Sequence, residues 1–463
     1  MPMKSNSNIN SFFLRRSSAT DAITALLIAV LFIYRVNHNP FFTETDLSTW
    51  QRDWMELERC IAQGKHFCTS ISKYPFAYLI NSGAANVLAG RSDIDQWWGG
   101  LRDSITLINT VFSLASFFTA TLIADSRLRA SVFIFSLGIL LTPLPDFYVI
   151  SGSLEIQPGI FFSLFALYAA RHFFNTSSGA SNIYKASILL FLGCLYKDTY
   201  SIFWIALGLM SWLVAIKGKK RLKRSQIRSL IYFSLTSFSG GWAAFVVSLG
   251  FNRYRYISFA PSAYLQESAQ TKPGFIQSIK FLFATIFSPN GGLIAFWGLA
   301  LGALLLLLLL IRKLTLISFF SASAFPVFCT LLHSLWWAPF GWDSWGNRLI
   351  VPSMMLCLAV LSIQISSPFI SNHEQSRAPR QLTSNKVAAA ALAAAMICTS
   401  ASYVFKPIIY DKRHLFNSSL YSYPTCQSMT RQLQGLSASE RNRIWRTKAY
   451  YDCSKDRFWT QPY

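Results

Sequence analysis

Long apolar runs recur along most of the chain and are separated by shorter polar segments. Most of these runs approach about 20 residues, the length that a helix needs to cross ~30 Å of hydrocarbon. The pattern predicts an all-α polytopic membrane protein with about eleven transmembrane helices. The predicted spans are residues 19–36, 105–124, 130–144, 156–173, 186–196, 201–216, 229–249, 292–311, 314–332, 349–365 and 387–404.

Three apolar segments need a separate interpretation. Residues 186–196 are short for a span and fit either a span or a half-helix that dips into the membrane. Residues 273–288 (PGFIQSIKFLFATIFS) are interrupted by Lys280, which favours a helix lying in the outer interface. No small-residue cleavage site follows the first run, so we expect an anchor and not a removed signal peptide.

Positive charge is distributed unevenly between the two sides of the predicted spans. The chain has 42 Lys and Arg against 20 Asp and Glu, a formal net charge of +22. Basic residues concentrate in alternate loops, above all in residues 217–228 (KGKKRLKRSQIR), whereas most acids fall in the other loops. Since basic loops stay in the cytoplasm, we expect a multi-pass plasma (inner) membrane protein with a cytoplasmic N-terminus and an extracytoplasmic C-terminal tail. The net charge of +22 is then explained by the basic cytoplasmic loops, and we expect no nucleic-acid partner.

The composition excludes a soluble enzyme and narrows where chemistry can occur. Hydrophobic residues make up 52% of the chain, charged residues 13%, and the mean hydropathy is +0.34. The sequence contains neither the G-x-G-x-x-G nor the G-x-x-x-x-G-K-[ST] pattern of nucleotide binding, and its six His have no zinc-ligand spacing. We therefore expect any reaction to take place on the extracytoplasmic face.

The cysteines support this orientation. Cys194, Cys329, Cys357 and Cys398 lie in predicted spans, where a thiol is a small apolar filler. The other four fall in segments predicted to lie outside, where disulfides persist. We predict the pairs Cys60–Cys68 and Cys426–Cys453.

The predicted organisation is one membrane domain followed by a short tail. Residues 1–405 form the membrane domain, which includes a large outer loop at 37–103 and a second at 251–290. Residues 406–463 form a small extracytoplasmic tail or cap.

Acidic residues lie beside the membrane in two of the outer segments. Glu44 and Asp46, in the stretch TETD, follow the first span, and Asp146 and Glu155 flank the turn before the span at 156–173. Each can be explained as a helix-start acid or cap. An acid facing the interior of a membrane bundle is costly, however, and indicates a functional site.

Cations occupy three further outer positions. Lys197 lies on a tight turn (LYKDTY), and Arg253 and Arg255 follow the span at 229–249. Arg348 precedes the span at 349–365 and follows Asp343 in the stretch WDSWGNRL. A surface turn, or snorkelling beside interfacial Trp, explains these residues without function. A forked guanidinium or an ammonium at the lipid surface is also suited to binding a lipid phosphate.

The order of these pieces resembles the multi-span GT-C glycosyltransferases that use polyprenyl-phosphate sugars, loosely like their mannosyl- and arabinosyltransferase branches. The resemblance covers residues 19–365 and depends on ETD, YPFAYL, SLEIQPGIFFSLFALYAARHFF, LGCLYKDTYSIFW and WGNRLIVPSMM in that order. It implies a GT-C-like fold with Asp46 as general base, Glu44 as second choice and a supporting acid at Glu155 or Asp146. The acids are spaced Glu-Thr-Asp, not as an adjacent pair, and the tail is too small for a carbohydrate-binding domain; the acceptor is therefore left open.

The resemblance implies an inverting single displacement on a polyprenyl-phosphate sugar donor. Asp46 would take the proton of a lipid, glycan or protein acceptor hydroxyl, and cations such as Arg348, Lys197 and Arg253 would stabilise the leaving phosphate. The mechanism needs no cofactor or metal; a divalent ion, if one is used, would be held by Asp46 and Glu44.

Three other interpretations remain open at the level of sequence. A lipid-linked saccharide transporter or flippase would need polar residues deep in several spans, and these spans have few. An O-antigen-type polymerase or ligase would carry its large outer loop late in the chain, whereas the acidic loop here comes first. A structural membrane protein without chemistry is the remaining alternative.

Overall fold

Helices form every regular element in the part of the chain that the computed structural model describes. The described residues are 18–37, 59–60, 62–64, 76, 107–111, 113–115, 129–145, 155–174, 179–197, 199–205, 235, 239–253, 273–289, 291–310, 316–336, 347–366, 389–401 and 424–444. The helices are α1 (Ser18–Asn37), α2 (Arg129–Leu140), α3 (Ile156–Phe174), α4 (Gly179–Leu195), α5 (Phe275–Phe287), α6 (Leu293–Leu310), α7 (Leu316–Ser334), α8 (Val351–Ser366), α9 (Pro424–Leu433) and α10 (Ala438–Ile444). A 3-10 turn, Arg348–Ile350, leads into α8. Residues 107–111, 113–115, 199–205, 239–253 and 389–401 are also helical.

Helices α1 to α8 lie where the apolar runs predicted them. Within the described ranges, α6 and the segment Arg348–Ser366 are long and apolar enough to cross a membrane, and several other apolar helices are shorter. The total of about eleven spans stays a prediction. The largest difference concerns α4, which begins at Gly179, before the predicted start at residue 186. Its 17 residues correspond to about 25 Å, closer to a span than to a dipping half-helix.

The centre of the bundle is α8. It packs against α2, α3, α6 and α7 and is buried along nearly all of its length. A helix that is apolar on all sides is stable only when it is surrounded in this way. Gly159 of α3 allows the close approach to α8, because a Cβ at this position would lie 2.4 Å from Sδ of Met355 and 3.2 Å from Cα of Pro352.

The outward surfaces of the bundle are also apolar. In α1, Ala25, Ile28 and Phe32 are buried while Leu26, Leu27 and other large aliphatic residues are exposed. The same holds for α5, which packs on α6 and α7 and exposes Phe275, Ile276 and Phe283 together with Lys280. Helices with two apolar faces indicate an apolar environment outside the bundle as well as a core within it.

A buried arginine joins α1 to α2 at one end of the bundle. Arg35, 7% exposed, donates from Nη2 to the carbonyl of Thr142 at 3.1 Å and from Nη1 to the carbonyl of Leu140. These carbonyls belong to the end of α2, where backbone acceptors lack helical partners and a cation is favourable. Arg35 carries no distinguishing signal in the sequence, since an arginine in the last turn of a span fits ordinary snorkelling.

The tail contains two short helices, α9 and α10. Ser437 caps the start of α10: its Oγ accepts from the backbone N–H of Glu440 at 3.3 Å and donates to Oε2 of Glu440 at 2.8 Å. The division at residue 405 and the predicted extracytoplasmic location of the tail stay predictions.

The observed cysteines agree with part of the prediction. Cys194, Cys329, Cys357 and Cys398 are free. Cys60 is in a disulfide bond. The side chains of Cys68, Cys426 and Cys453 lie outside the described part of the structure, so the Cys60–Cys68 and Cys426–Cys453 pairs stay predictions.

Candidate functional site

Two helices of the bundle begin at the same place, and each carries a buried charge there. Glu155 lies immediately before α3, and Arg348 begins the 3-10 turn that leads into α8. Pro158 and Pro352 fall in the first turns of the two helices, where a backbone N–H has no helical acceptor and proline is tolerated. The two prolines therefore favour helix starts at these positions, directly after Glu155 in one case and after the turn of Arg348 in the other.

The two charges form an ion pair. Nε of Arg348 lies 3.9 Å from Oε1 of Glu155, and the two residues are 5% and 3% exposed. At this distance the pair is a charge interaction and not a short hydrogen bond. Because a buried charge is costly without compensation, the pair stabilises the arrangement of the α3 and α8 starts.

A second buried cation, Lys197, lies at the end of the bundle that holds Glu155 and Arg348. Lys197 follows the end of α4 and is 4% exposed, with Nζ 5.9 Å from the ring centre of Tyr200. The end of α4 is near the first turns of α3, since the rings of Tyr196 and Phe161 are 5.9 Å apart. The ammonium therefore lies at the same end of the bundle as Arg348.

The end of α7 completes this part of the bundle. His333, in its last turn, is 7% exposed, lies within electrostatic range of Lys197, and has its ring centre 6.3 Å from that of Phe203. One turn earlier, the thiol of Cys329 contacts the hydroxyl of Ser353 in the first turn of α8. The end of α7 also packs against the 3-10 turn of Arg348.

Beside this cluster lies an amide pair that links a further helix to α3. Gln157 Nε2 donates to Oδ1 of Asn109 at 3.0 Å, and both side chains are fully buried. Asn109 lies in the helical residues 107–111. The start of α3 thus carries polar contacts on more than one side, which restricts the position of Glu155.

The structure brings together three of the residues that the sequence analysis selected. Glu155, Lys197 and Arg348 are buried at one end of the bundle. Arg253 is exposed at the end of the helical residues 239–253. Glu44, Asp46, Asp146, Arg255 and Asp343 lie outside the described residues, so their roles stay predictions. The described residues hold no group of three or more His, Cys, Asp or Glu that could bind a metal ion.

Three further polar residues, Thr330, His333 and Asn347, are buried at this end of the bundle, and none of them was among the predicted site residues. Asn347 precedes Arg348 and is fully buried. A histidine at the predicted outer end of an apolar run is a signal that could have identified His333. No comparable signal marks Thr330, because a threonine inside a membrane helix commonly bonds its own backbone.

Comparisons with known proteins give one distant similarity. No protein-family model matches the chain, and no curated protein matches it in sequence. One solved structure, the oligosaccharyltransferase of Archaeoglobus fulgidus in its apo form, is similar with a TM-score of 0.45 and 12% identity. The match covers 94% of this chain and 60% of that protein, so the chain spans less than two thirds of its length. A similarity at this level assigns neither family nor function.

Proposed function

We propose that this protein is an integral membrane glycosyltransferase that moves a sugar from a polyprenyl-phosphate donor to a lipid, glycan or protein acceptor on the extracytoplasmic face. One observation carries the proposal: an acid and two cations, Glu155, Lys197 and Arg348, are buried together at one end of a bundle with an apolar exterior. Ionisable groups in such surroundings are expensive and mark substrate sites.

The two cations are suited to the phosphate of a lipid donor. Arg348 offers a planar fork of donors and Lys197 a compact ammonium, and both bind phosphate oxygens well. Glu155 is then a positioning residue, because its ion pair holds the guanidinium at the bundle end. Positive charge at this place stabilises the negative charge that develops as the phosphate leaves.

The proposed reaction is a single displacement. The acceptor hydroxyl oxygen forms a bond to the anomeric carbon while the bond between that carbon and the phosphate oxygen breaks. The hydroxyl proton passes to the carboxylate of Asp46, and the departing polyprenyl phosphate keeps the electron pair of the broken bond. The anomeric configuration inverts. No metal or organic cofactor is required.

Transfer can be tested directly in membranes that contain the protein. Radiolabelled polyprenyl-phosphate hexoses and pentoses are supplied, and label is followed into lipid, glycan and protein fractions. Membranes with wild type should move label from the donor into an acceptor, and membranes without the protein should not. Label that crosses the bilayer while staying on the polyprenyl lipid would instead indicate a flippase.

The assignment of the base has its own test. Asn caps a helix about as well as Asp, so Asp46→Asn should be silent if Asp46 is only a cap. If Asp46 is the base, turnover should fall roughly 10²–10⁴-fold, with protein level and donor binding unchanged. Glu44→Gln is the matched control. Full activity in Asp46→Asn together with loss in Glu44→Gln would move the base to Glu44.

A further inference from the structure

Several buried polar atoms beside Lys197 and Arg348 have no hydrogen-bond partner. Among them are Oδ1 and Nδ2 of Asn347, Oγ1 of Thr330 and Nδ1 of His333; the hydroxyls of Tyr196 and Thr199, on either side of Lys197, are unpaired too. Asn347, Thr330 and His333 are 0%, 4% and 7% exposed. Buried polar atoms are almost always paired, so a concentration of unpaired ones indicates a missing partner.

Other buried hydroxyls in this bundle behave differently. Ser163, Thr285 and Ser362 each donate to the carbonyl four residues earlier, at 2.8, 2.8 and 2.7 Å. Thr330 lies in a helix of the same kind but makes no such bond. Thr330 therefore differs from these three hydroxyls, although an unpaired buried atom also occurs elsewhere in the bundle, on Nε of Arg171 near the far end of α3.

These atoms lie next to the cations on adjoining elements. Thr330 and His333 are three residues apart in α7, on one face of the helix, and the end of α7 packs against the turn that Asn347 and Arg348 begin. His333 is also within electrostatic range of Lys197. Charged and neutral polar groups thus adjoin one another.

The two cations differ from Asn347, Thr330 and His333 in the hydrogen bonds that they can make. Lys197 and Arg348 carry only donors and full positive charge, as a phosphate requires. An amide and a hydroxyl each combine donor and acceptor capacity, and so does an imidazole that carries one proton. Sugar hydroxyls require this combination because each of them both donates and accepts.

We propose that Asn347, Thr330 and His333 form the subsite that binds the hydroxyl groups of the donor's sugar, beside the phosphate site of Lys197 and Arg348. This inference rests on the proposed function. It makes these three residues determinants of sugar specificity, because a site built to pair with hydroxyls rejects a sugar that leaves its polar atoms unpaired.

Two near-isosteric substitutions test the subsite. Thr330→Val and Asn347→Leu remove the unpaired atoms and keep the shape. The probes are undecaprenyl phosphate and whichever undecaprenyl-phosphate sugar wild type transfers, chosen from mannosyl, glucosyl, galactosyl and arabinosyl forms. Each variant should bind the sugar-bearing probe about tenfold more weakly, the effect of one lost hydrogen bond, and bind undecaprenyl phosphate as wild type does.

Stability provides a second readout that separates binding from folding. Thr330→Val removes no bond within the protein, so its unfolding temperature should equal or exceed that of wild type. The matched control is Thr285→Val, which removes the bond to the carbonyl of Phe281; it should lower the unfolding temperature and leave both probes' affinities unchanged. Should Asn347→Leu fail to fold, Thr330→Val decides.

The remaining outcomes overturn the inference. If a variant binds both probes equally more weakly than wild type, the residue contributes to phosphate binding or to the fold, and not to sugar binding. Unchanged affinity for both would mean that water pairs with the atoms. If wild type transfers no sugar and binds neither probe, the proposed function itself fails, and that result is distinct from the other two.

Discussion

At the scale of single residues, the Glu155–Arg348 pair has a structural role as a buried ion pair and, in the proposed function, a role in donor binding, and substitutions can separate the two. Removing one member of a buried ion pair leaves the other uncompensated and typically costs about 3–5 kcal/mol of stability. Replacing both members by well-packed hydrophobic residues of similar volume is often neutral or stabilising. The pair is 3.9 Å apart and almost fully buried, so both expectations apply.

We expect Arg348→Ala to lower the unfolding temperature and Glu155→Leu/Arg348→Met to restore most of it, measured on purified protein in detergent. Donor binding should stay impaired in the double variant, because the phosphate ligand is still missing. A double variant that regains donor affinity would leave Arg348 with a structural role alone.

Charge and shape at residue 348 can be distinguished as well. Arg348→Lys keeps the charge but loses the fork of donors. Donor affinity should therefore fall less in Arg348→Lys than in Arg348→Ala, where the loss of a charge-assisted contact is on the order of 1.5–3 kcal/mol. Equal donor affinity in wild type and Arg348→Ala would leave the ion pair with Glu155 as the role of this arginine.

At the scale of elements, the apolar runs located the helices well because helix length and burial follow directly from them. The ends of the helices were less predictable. The start of α4 precedes its apolar run because a helix continues through Ser181, Asn182 and Lys185 as long as backbone bonds can form. The ion pair between Glu155 and Arg348 joins residues far apart in sequence, and no periodic pattern encodes such a contact.

Close packing of α6 against the helical residues 389–401 depends on a glycine. A Cβ at Gly302 would lie 2.6 Å from the carbonyl of Ala393 and 2.7 Å from Cγ1 of Ile397. Nearby, Ser400 donates from Oγ to the carbonyl of Ala295 at 2.7 Å. Small residues permit this approach of two backbones in apolar surroundings.

We expect Gly302→Ala to destabilise the protein by about 1–3 kcal/mol, because the added methyl overpacks the contact. Gly138 in α2 is the matched control: a Cβ there meets only Cδ1 of Leu304, at 3.9 Å. Gly138→Ala should be neutral or stabilising by up to about 1 kcal/mol, since glycine is unfavourable within a helix. Thermal unfolding in detergent measures both, and equal shifts would contradict the close packing.

At the scale of the whole molecule, the sidedness of the site depends on whether the chain reverses at Lys197. Helix α4 ends at Leu195, and a new helical stretch follows at 199–205. In the helical residues 239–253, a Cβ at Gly240 would lie 3.0 Å from the carbonyl of Ser187, and one at Gly241 would lie 3.3 Å from Cγ1 of Ile205. Gly240 and Gly241 are adjacent in sequence, so Ser187 of α4 and Ile205 of the next helical stretch lie at a similar level along the bundle. The chain therefore folds back between these two residues.

This reversal underlies the topology prediction. A reporter that is active only outside the cytoplasm should work after Trp54, Gln270 or Tyr463 and fail after Lys220 or Asn372. Reporter activity after Lys220 would place the site on the cytoplasmic face instead. Successive loops alternate between the two sides of the membrane, so all the outer segments would change sides together.

The separation of Glu155 and Arg348 along the chain has a consequence for biosynthesis. Ribosomes add about 5–20 residues per second, so the arginine emerges roughly ten to forty seconds after the glutamate. During that interval the nascent protein holds a carboxyl group whose eventual counter-charge has not yet been made. The first helices must therefore be inserted with this acid still near water or an assisting protein, and the bundle end can close only when the start of α8 arrives.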